Sequence, residues 1–357
     1  MDAFYDKSKA VQTLDKIIAE RTAVAASPQM YILDSESTET FGLSICRGDG
    51  DAVSRLTQHN EETGESEEAT IAIQGIVSSI NLPPFDARSH RPDDVKRLVH
   101  ARQSVTLTGL GSPCFDRMVE NSRRAYSMFS RYTPNAKLLP RPEFLAKYSA
   151  ETDGGIDQHV TIAASNRFFT PIKQAGALEA VDINVEIDPR GLLAKVDRTR
   201  YVHTEDNTVD YYVLTEGDNI DRYTPTTPII FQIGDIVEIQ TSMTCIPQKG
   251  SFTVKLLLRS IILLDGSLTM EAMNARTLVT PTPAQPLKRL KRRNPYAGSV
   301  PWLQKTRGGK DHPRIDVEAN ESGGSHEAGS IGGQQVHSHN EIVSESQTAT
   351  IDTCMDE

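Results

Sequence analysis

Residues Phe231–Asp265 read FQIGDIVEIQTSMTCIPQKGSFTVKLLLRSIILLD, and their alternation constrains the fold more than any other feature of the chain. Val237, Ile239, Thr241 and Met243 fall on one side of an extended segment, with Glu238, Gln240 and Ser242 on the other. Gly234-Asp235 reads as a tight turn into this strand. Pro247–Gly250 reads as a hairpin connection. Beyond it Phe252, Val254, Leu256 and Leu258 share a face opposite Lys255 and Arg259. A helix would scatter these apolar positions around its circumference, so the stretch is expected to be two paired strands.

The same character begins near His159. HVTIAAS, VDINVEID and VDYYVLT add short alternating segments, with turn-like residues at Glu205–Asn207. Residues 155–270 are therefore expected to form a small antiparallel barrel-like domain, OB-like in its last two strands. Residues 1–150 are expected to be a mixed α/β region, which makes the fold class α+β. Helices are expected over Asp2–Ala26, Asp93–Gln103, from Ser112-Pro113 onward, and near Glu143–Ser149. Met30–Leu33, Phe41–Cys46 and Thr70–Leu82 read as strands, and Thr269–Arg276 as a short closing helix. The acidic run NEETGESEE, near residues 58–69, lacks apolar residues and is expected to be a solvated or disordered insert. Residues 281–357 lose apolar periodicity and are expected to be a disordered tail.

Composition narrows the functional classes. A net charge of -10 argues against a protein that coats nucleic acid with its whole surface, while leaving local basic patches open. Cys46, Cys114, Cys245 and Cys354 are far apart and form no C-x-x-C pair, so neither a zinc ribbon nor a disulfide framework is expected. The longest apolar run, Leu256–Leu264, is broken by Arg259 and Ser260 and is too short to span a bilayer. The N-terminus lacks the apolar core of a secretory signal. A reducing cytosolic or nuclear setting, with no membrane partner, is the expectation.

Each candidate for chemistry has a plainer reading. His203, Glu205 and Asp206 resemble half of a zinc-deaminase motif, but the P-C-x-x-C that would complete it is missing, so a capped turn is expected. Arg47-Gly48-Asp49-Gly50-Asp51 lacks the spacing and terminal Glu of a calcium loop. Gly109-Leu110-Gly111-Ser112-Pro113 meets neither the dinucleotide nor the P-loop pattern and reads as a helix entry. No catalytic residue, metal site or cofactor is expected. The most specific short signal is Lys288-Arg289-Leu290-Lys291-Arg292-Arg293, where Lys288, Arg289, Lys291, Arg292 and Arg293 suit nuclear import. In the β-domain, Tyr201, Tyr211, Tyr212, Tyr223 and Phe252 could stack on bases, with Arg198, Arg200, Lys255 and Arg259 as cations. Tyr and Phe are also ordinary strand formers, and packing is the preferred reading for them.

Val202-His203-Thr204-Glu205-Asp206-Asn207, Gly234-Asp235-Ile236-Val237-Glu238 and Leu258-Arg259-Ser260-Ile261 carry a resemblance over about residues 195–265. The segment resembles an uncharacterised multi-copy family of hypothetical proteins from mushroom-forming basidiomycete fungi. The resemblance implies no activity and brings no catalytic residues.

The sequence thus points to a non-enzymatic, nuclear protein-interaction protein that binds an unknown protein partner through its β-domain. Two alternatives stand beside it. One is a single-stranded nucleic-acid-binding module of OB-like type, and the other is a degenerate enzyme linked to mobile elements.

Overall fold

A computed structural model describes residues 1–24, 28–33, 40–47, 53–60, 63–85, 95–132, 137–139, 142–152, 155–176, 178–215, 222–248 and 250–279. The expected tail, including Lys288–Arg293, lies outside the described residues. The long helices are α1 (Lys7–Val24), α2 (Pro113–Tyr132) and α3 (Ser267–Leu278). The first strands are β1 (Leu43–Arg47), β2 (Ser54–His59), β3 (Ser66–Glu68), β4 (Thr70–Asn81) and β5 (Arg102–Thr108). They are followed by β6 (Lys137–Leu138), β7 (Leu145–Thr152), β8 (Gly155–Arg167), β9 (Thr170–Pro171) and β10 (Tyr201–Val202). The last four are β11 (Asp210–Thr215), β12 (Arg222–Pro225), β13 (Ile236–Gln248) and β14 (Ser251–Asp265).

The architecture is α+β and dominated by one sheet, ordered β12-β11-β14-β13-β4-β5-β8-β7, with β1, β2, β3 and β6 attached beside this path. The β13–β14 hairpin forms as its alternation predicts, with Val254, Leu256, Leu258, Val237, Ile239 and Met243 buried. Most pairings are antiparallel, but β11–β14 and β14–β6 are parallel. The expected barrel is not closed by hydrogen-bonded ladders, because the path ends at β12 and β7. Nor does a boundary fall at residue 150. β4 pairs with β13, and β5 pairs with both β4 and β8, so strands from both halves of the chain build one sheet. Strand pairing is long-range, and local periodicity does not reveal which neighbour completes a ladder.

Helices cover parts of the sheet. Ala10, Leu14 and Ile18 are the buried stripe of α1, four residues apart. The start of α2 is capped as its sequence predicts, with the Phe115 amide donating to Ser112 Oγ at 3.0 Å. Two glycines leave room for the first aromatic of α2. A Cβ at Gly75 would lie 2.9 Å from Phe115 Cε2 and from Leu107 Cβ, and one at Gly109 would collide with Phe115 Cβ. A second, smaller core holds Phe85, Leu98, Phe168, Phe169, Leu192, Leu193 and Val196.

VDINVEID, residues 181–188, carries no strand, and four further local expectations need correction. Met30–Ile32 is a turn of 3-10 helix, because Asn121 Nδ2 donates to the carbonyls of Met30 and Tyr31, both at 2.9 Å, and ties them to α2. The helix expected over Asp93–Gln103 survives only as Val95–Leu98, since Arg102 and Gln103 already pair with β8. The helix expected near Glu143–Ser149 is strand β7, held by its long ladder to β8. The acidic insert carries β3, whose Glu67 and Glu68 pair with β2. Glu67 remains exposed to water, and Glu68 is tolerated at the strand because a facing arginine supplies its counter-charge.

Candidate functional site

That arginine is Arg259, one of the cations singled out from the sequence. It occupies an irregularity in the β13–β14 ladder, between the pairs Thr241↔Leu258 and Gln240↔Ser260. Arg259 Nε donates to Glu68 Oε1 at 2.9 Å and to Ser242 Oγ at 3.1 Å, and Nη1 donates to the Asp206 carbonyl at 2.7 Å. Nη2 makes a further close ion pair with Glu68. Arg55 on β2 approaches the same carboxylate at 3.8 Å. Glu68 therefore sits between two guanidiniums, as a phosphate would.

The belt continues around the sheet. Asp206 Oδ1 lies 4.0 Å from Arg259 Nη2. Beyond it Arg167 ends β8, directly opposite Arg102 at the start of β5. Residues opposite one another in an antiparallel pair share a face, and like charges there destabilise the pair. Burial, then the positive charges of Arg102 and Arg55, hold the Arg167 pKa below its ordinary value against the opposing pull of Asp206. Arg167 Nη1 donates to the neutral amide oxygen of Gln174 at 3.3 Å. Among the described residues neither Arg102 nor Arg167 has a carboxylate partner. Arg21, Arg55, Arg123, Arg124, Arg198, Arg200, Arg259 and Arg276 all have one.

Packing positions this pair. Phe168 and Phe169 enter the smaller core immediately after Arg167 and fix the end of β8. The Phe168 amide donates to the Ala101 carbonyl at 3.1 Å, and Asn81 Nδ2 donates to the Arg102 carbonyl at 2.9 Å. On the face that carries the two guanidiniums, alternation places Ser104 and Thr106 on β5 and Ala163 and Ser165 on β8. All four are partly exposed. The result is a surface of short side chains with positive charge at one end, suited to a polyanion laid across the strands.

The other sequence-derived candidates lie elsewhere. Arg198 pairs with Asp182 at 3.3 Å and Arg200 with Asp197 at 3.6 Å, both exposed. Tyr201 packs against the smaller core. Phe252 packs against the main core, and Lys255 is held by Glu143. Tyr212 stands edge-on to Tyr223 with centroids 6.5 Å apart. Among the described residues no hydrogen bond or ion pair joins Arg198, Arg200 or Lys255 to Arg259. Sequence reading missed Arg55, Arg102 and Arg167. A same-face pattern within RQSVTLT and the run ending SNR was the available signal, but nothing local shows that these two ends meet.

His203 is buried rather than solvated. Its Nδ1 lies 2.7 Å from the Phe168 carbonyl, its ring meets Phe169 edge-on, and burial lowers its pKa. The following turn is closed by a capping box between Thr204 and Asn207. Among the described residues no group of three or more His, Cys, Asp or Glu converges as a metal ion would need. Among them, too, no helix is long and apolar enough to cross a membrane.

No family model matches the chain, and no curated protein matches it. Among solved structures, it is similar to gp2.5, a single-stranded DNA binding protein encoded by bacteriophage T7. That likeness has 14% identity and a TM-score of 0.27, and covers 55% of this chain and 87% of that one. It is also similar to a C-terminally truncated single-stranded DNA-binding protein from bacteriophage Enc34. There the identity is 11% and the TM-score 0.26, with coverage of 62% of this chain and 95% of that one.

Proposed function

We propose that this chain binds single-stranded nucleic acid on the arginine belt, with Arg102 and Arg167 contacting phosphates. One observation carries the reading: two guanidiniums sit side by side across a strand pair without a carboxylate between them. Such a pair repels itself in the free protein, and an anion relieves that repulsion on binding. Arg259 and Arg55 extend the positive surface. Short side chains beside the charges favour a strand lying flat over reading of a duplex groove, which calls for a protruding helix or ribbon. The belt is built from charge, and for that reason nucleic acid is preferred here over the partner protein that the sequence first suggested.

The test is titration of labelled oligothymidylate over a range of salt. Arg102→Ser combined with Arg167→Ser is expected to weaken binding about tenfold and to lower the slope of log K against log salt by about 1.4. Arg198→Ser with Arg200→Ser serves as control and is expected to leave both unchanged. Wild-type protein that fails to bind, or a belt variant with wild-type affinity and slope, would overturn the proposal. Nuclear import through Lys288, Arg289, Lys291, Arg292 and Arg293 is a separate proposal. It predicts that a reporter fused to that hexapeptide accumulates in nuclei.

A further inference from the structure

Tyr212 and Tyr223 stand apart from the belt and are not explained by core packing. Tyr223 lies on β12, the last strand of the sheet path, and is 44% exposed. Its ring meets Tyr212 at 82°, and the guanidinium of Arg21 lies 5.7 Å from its centroid. Arg21 Nη2 also donates a close hydrogen bond to the Tyr223 hydroxyl. Arg21 is itself held by Glu238, which is 1% exposed, through Nε at 3.0 Å and Nη2 at 3.3 Å. Gln74 and Gln240 donate to the other sides of that carboxylate, at 2.8 and 3.0 Å. A buried anion thus locks a cation, and the cation locks an exposed ring, which leaves little rotamer freedom to lose when a flat group docks on it.

The aromatic pair and the belt share one side of the sheet. In-register partners run from Tyr212 through Ile262 to Glu238. Glu238, Gln240 and Ser242 then alternate along one face of β13, and Ser242 Oγ accepts from Arg259 Nε. Glu238 and Ser242 are separated by about 13 Å along the strand. Arg222, next to Tyr223, is exposed and has no ion-pair partner among the described residues. From this placement we infer that Tyr212 and Tyr223 form a stacking platform for unpaired nucleobases, upstream or downstream of the phosphates held by the belt.

The inference rests on the nucleic-acid reading, and a comparison of ligands separates the two. Wild-type protein is titrated with oligothymidylate and with an abasic deoxyribose-phosphate oligomer of equal length. The thymine polymer is expected to bind at least about fivefold more tightly, since base stacking on an aromatic is worth about 1–3 kcal/mol. Tyr223→Ala is expected to bring that ratio towards one while leaving affinity for the abasic polymer unchanged. Tyr223→Phe keeps the ring and is expected to keep the ratio. Photo-crosslinking of wild-type protein to an iodouracil oligomer gives a readout independent of folding, with the adduct expected on Tyr212 or Tyr223. Equal binding of the two polymers by the wild type, or an equal loss of both in Tyr223→Ala, or adducts confined to other residues, would sink the platform while sparing the belt. Failure of both polymers to bind would remove the belt and the platform together.

Discussion

The side-chain amide of Asn166 on β8 donates to the Leu258 carbonyl on β14 at 3.2 Å, joining two strands that share no backbone ladder. The same amide nitrogen reaches the carbonyls of Asp206 and Thr208 at 2.8 and 3.4 Å. One buried asparagine therefore closes the curled sheet where a barrel would use a strand pair, and it holds the 206–208 loop beside Arg259. Asn166→Ala is expected to lower stability by about 2 kcal/mol, because it strands buried carbonyls. Chemical denaturation measures this, and a loss under about 0.5 kcal/mol would show that the closure is carried by packing.

Glu68 competes with any phosphate for Arg55 and Arg259. Glu68→Gln removes the competing charge without changing the side chain's length. Affinity for oligothymidylate is expected to rise about threefold at low salt, with the gain fading as salt increases. An affinity that falls would show that Glu68 orients Arg259 for the ligand.

Arg102 and Arg167 oppose each other in the unliganded protein. Arg102→Ser is expected to leave stability unchanged or to raise it by a few tenths of a kcal/mol, while weakening binding. A calorimetric melt in low salt is the sensitive measurement. A clear loss of stability would mean that an attractive contact had been removed.

Arg21 compensates a carboxylate that solvent barely reaches. Burial opposes its charge, yet the bonds to Glu238 outweigh that and raise its pKa. Arg21→Met leaves Glu238 unpaired and is expected to cost about 3 kcal/mol, with partial recovery on adding Glu238→Gln. Urea unfolding of the single and double variants checks it, and strictly additive losses would refute the coupling.

His203 is neutral in the fold, with Nδ1–H donating to the Phe168 carbonyl. Its pKa is lowered from 6.5, chiefly by burial. Unfolded chains therefore bind more protons as pH falls below 6.5, and stability drops progressively towards the lower folded value. His203→Asn is expected to flatten this acid loss. Asp235 has a raised pKa, mainly from burial, and contributes with the opposite sign, so the difference between variant and wild type is the informative quantity. Urea midpoints at about pH 7.5 and 5.5 measure it, and parallel losses in both proteins would exclude His203.

Much of the fold was legible where the signal was local. The β13–β14 hairpin follows from strict alternation around Pro247–Gly250, and the start of α2 from Ser112-Pro113. The helix expected near Glu143–Ser149 is a strand instead, because its state is set by β8 rather than by its own residues. Glu68 looked like solvated insert because Arg259, far along the chain, supplies its counter-charge. Of the proposed site, Arg259 was legible as a strand cation, and Tyr212 and Tyr223 as aromatics able to stack. Arg55, Arg102 and Arg167 were not.

The sequence by itself determined that this chain must pair strands, because alternating apolar positions bury one face only in an extended chain. It also determined where helices and turns begin, since caps and turn residues act over a few positions. Only the tertiary structure decided which strands are neighbours, and hence which arginines meet carboxylates and which meet each other. Charge interactions depend on distance in space, and Arg102 and Arg167 become partners only once β5 and β8 lie side by side.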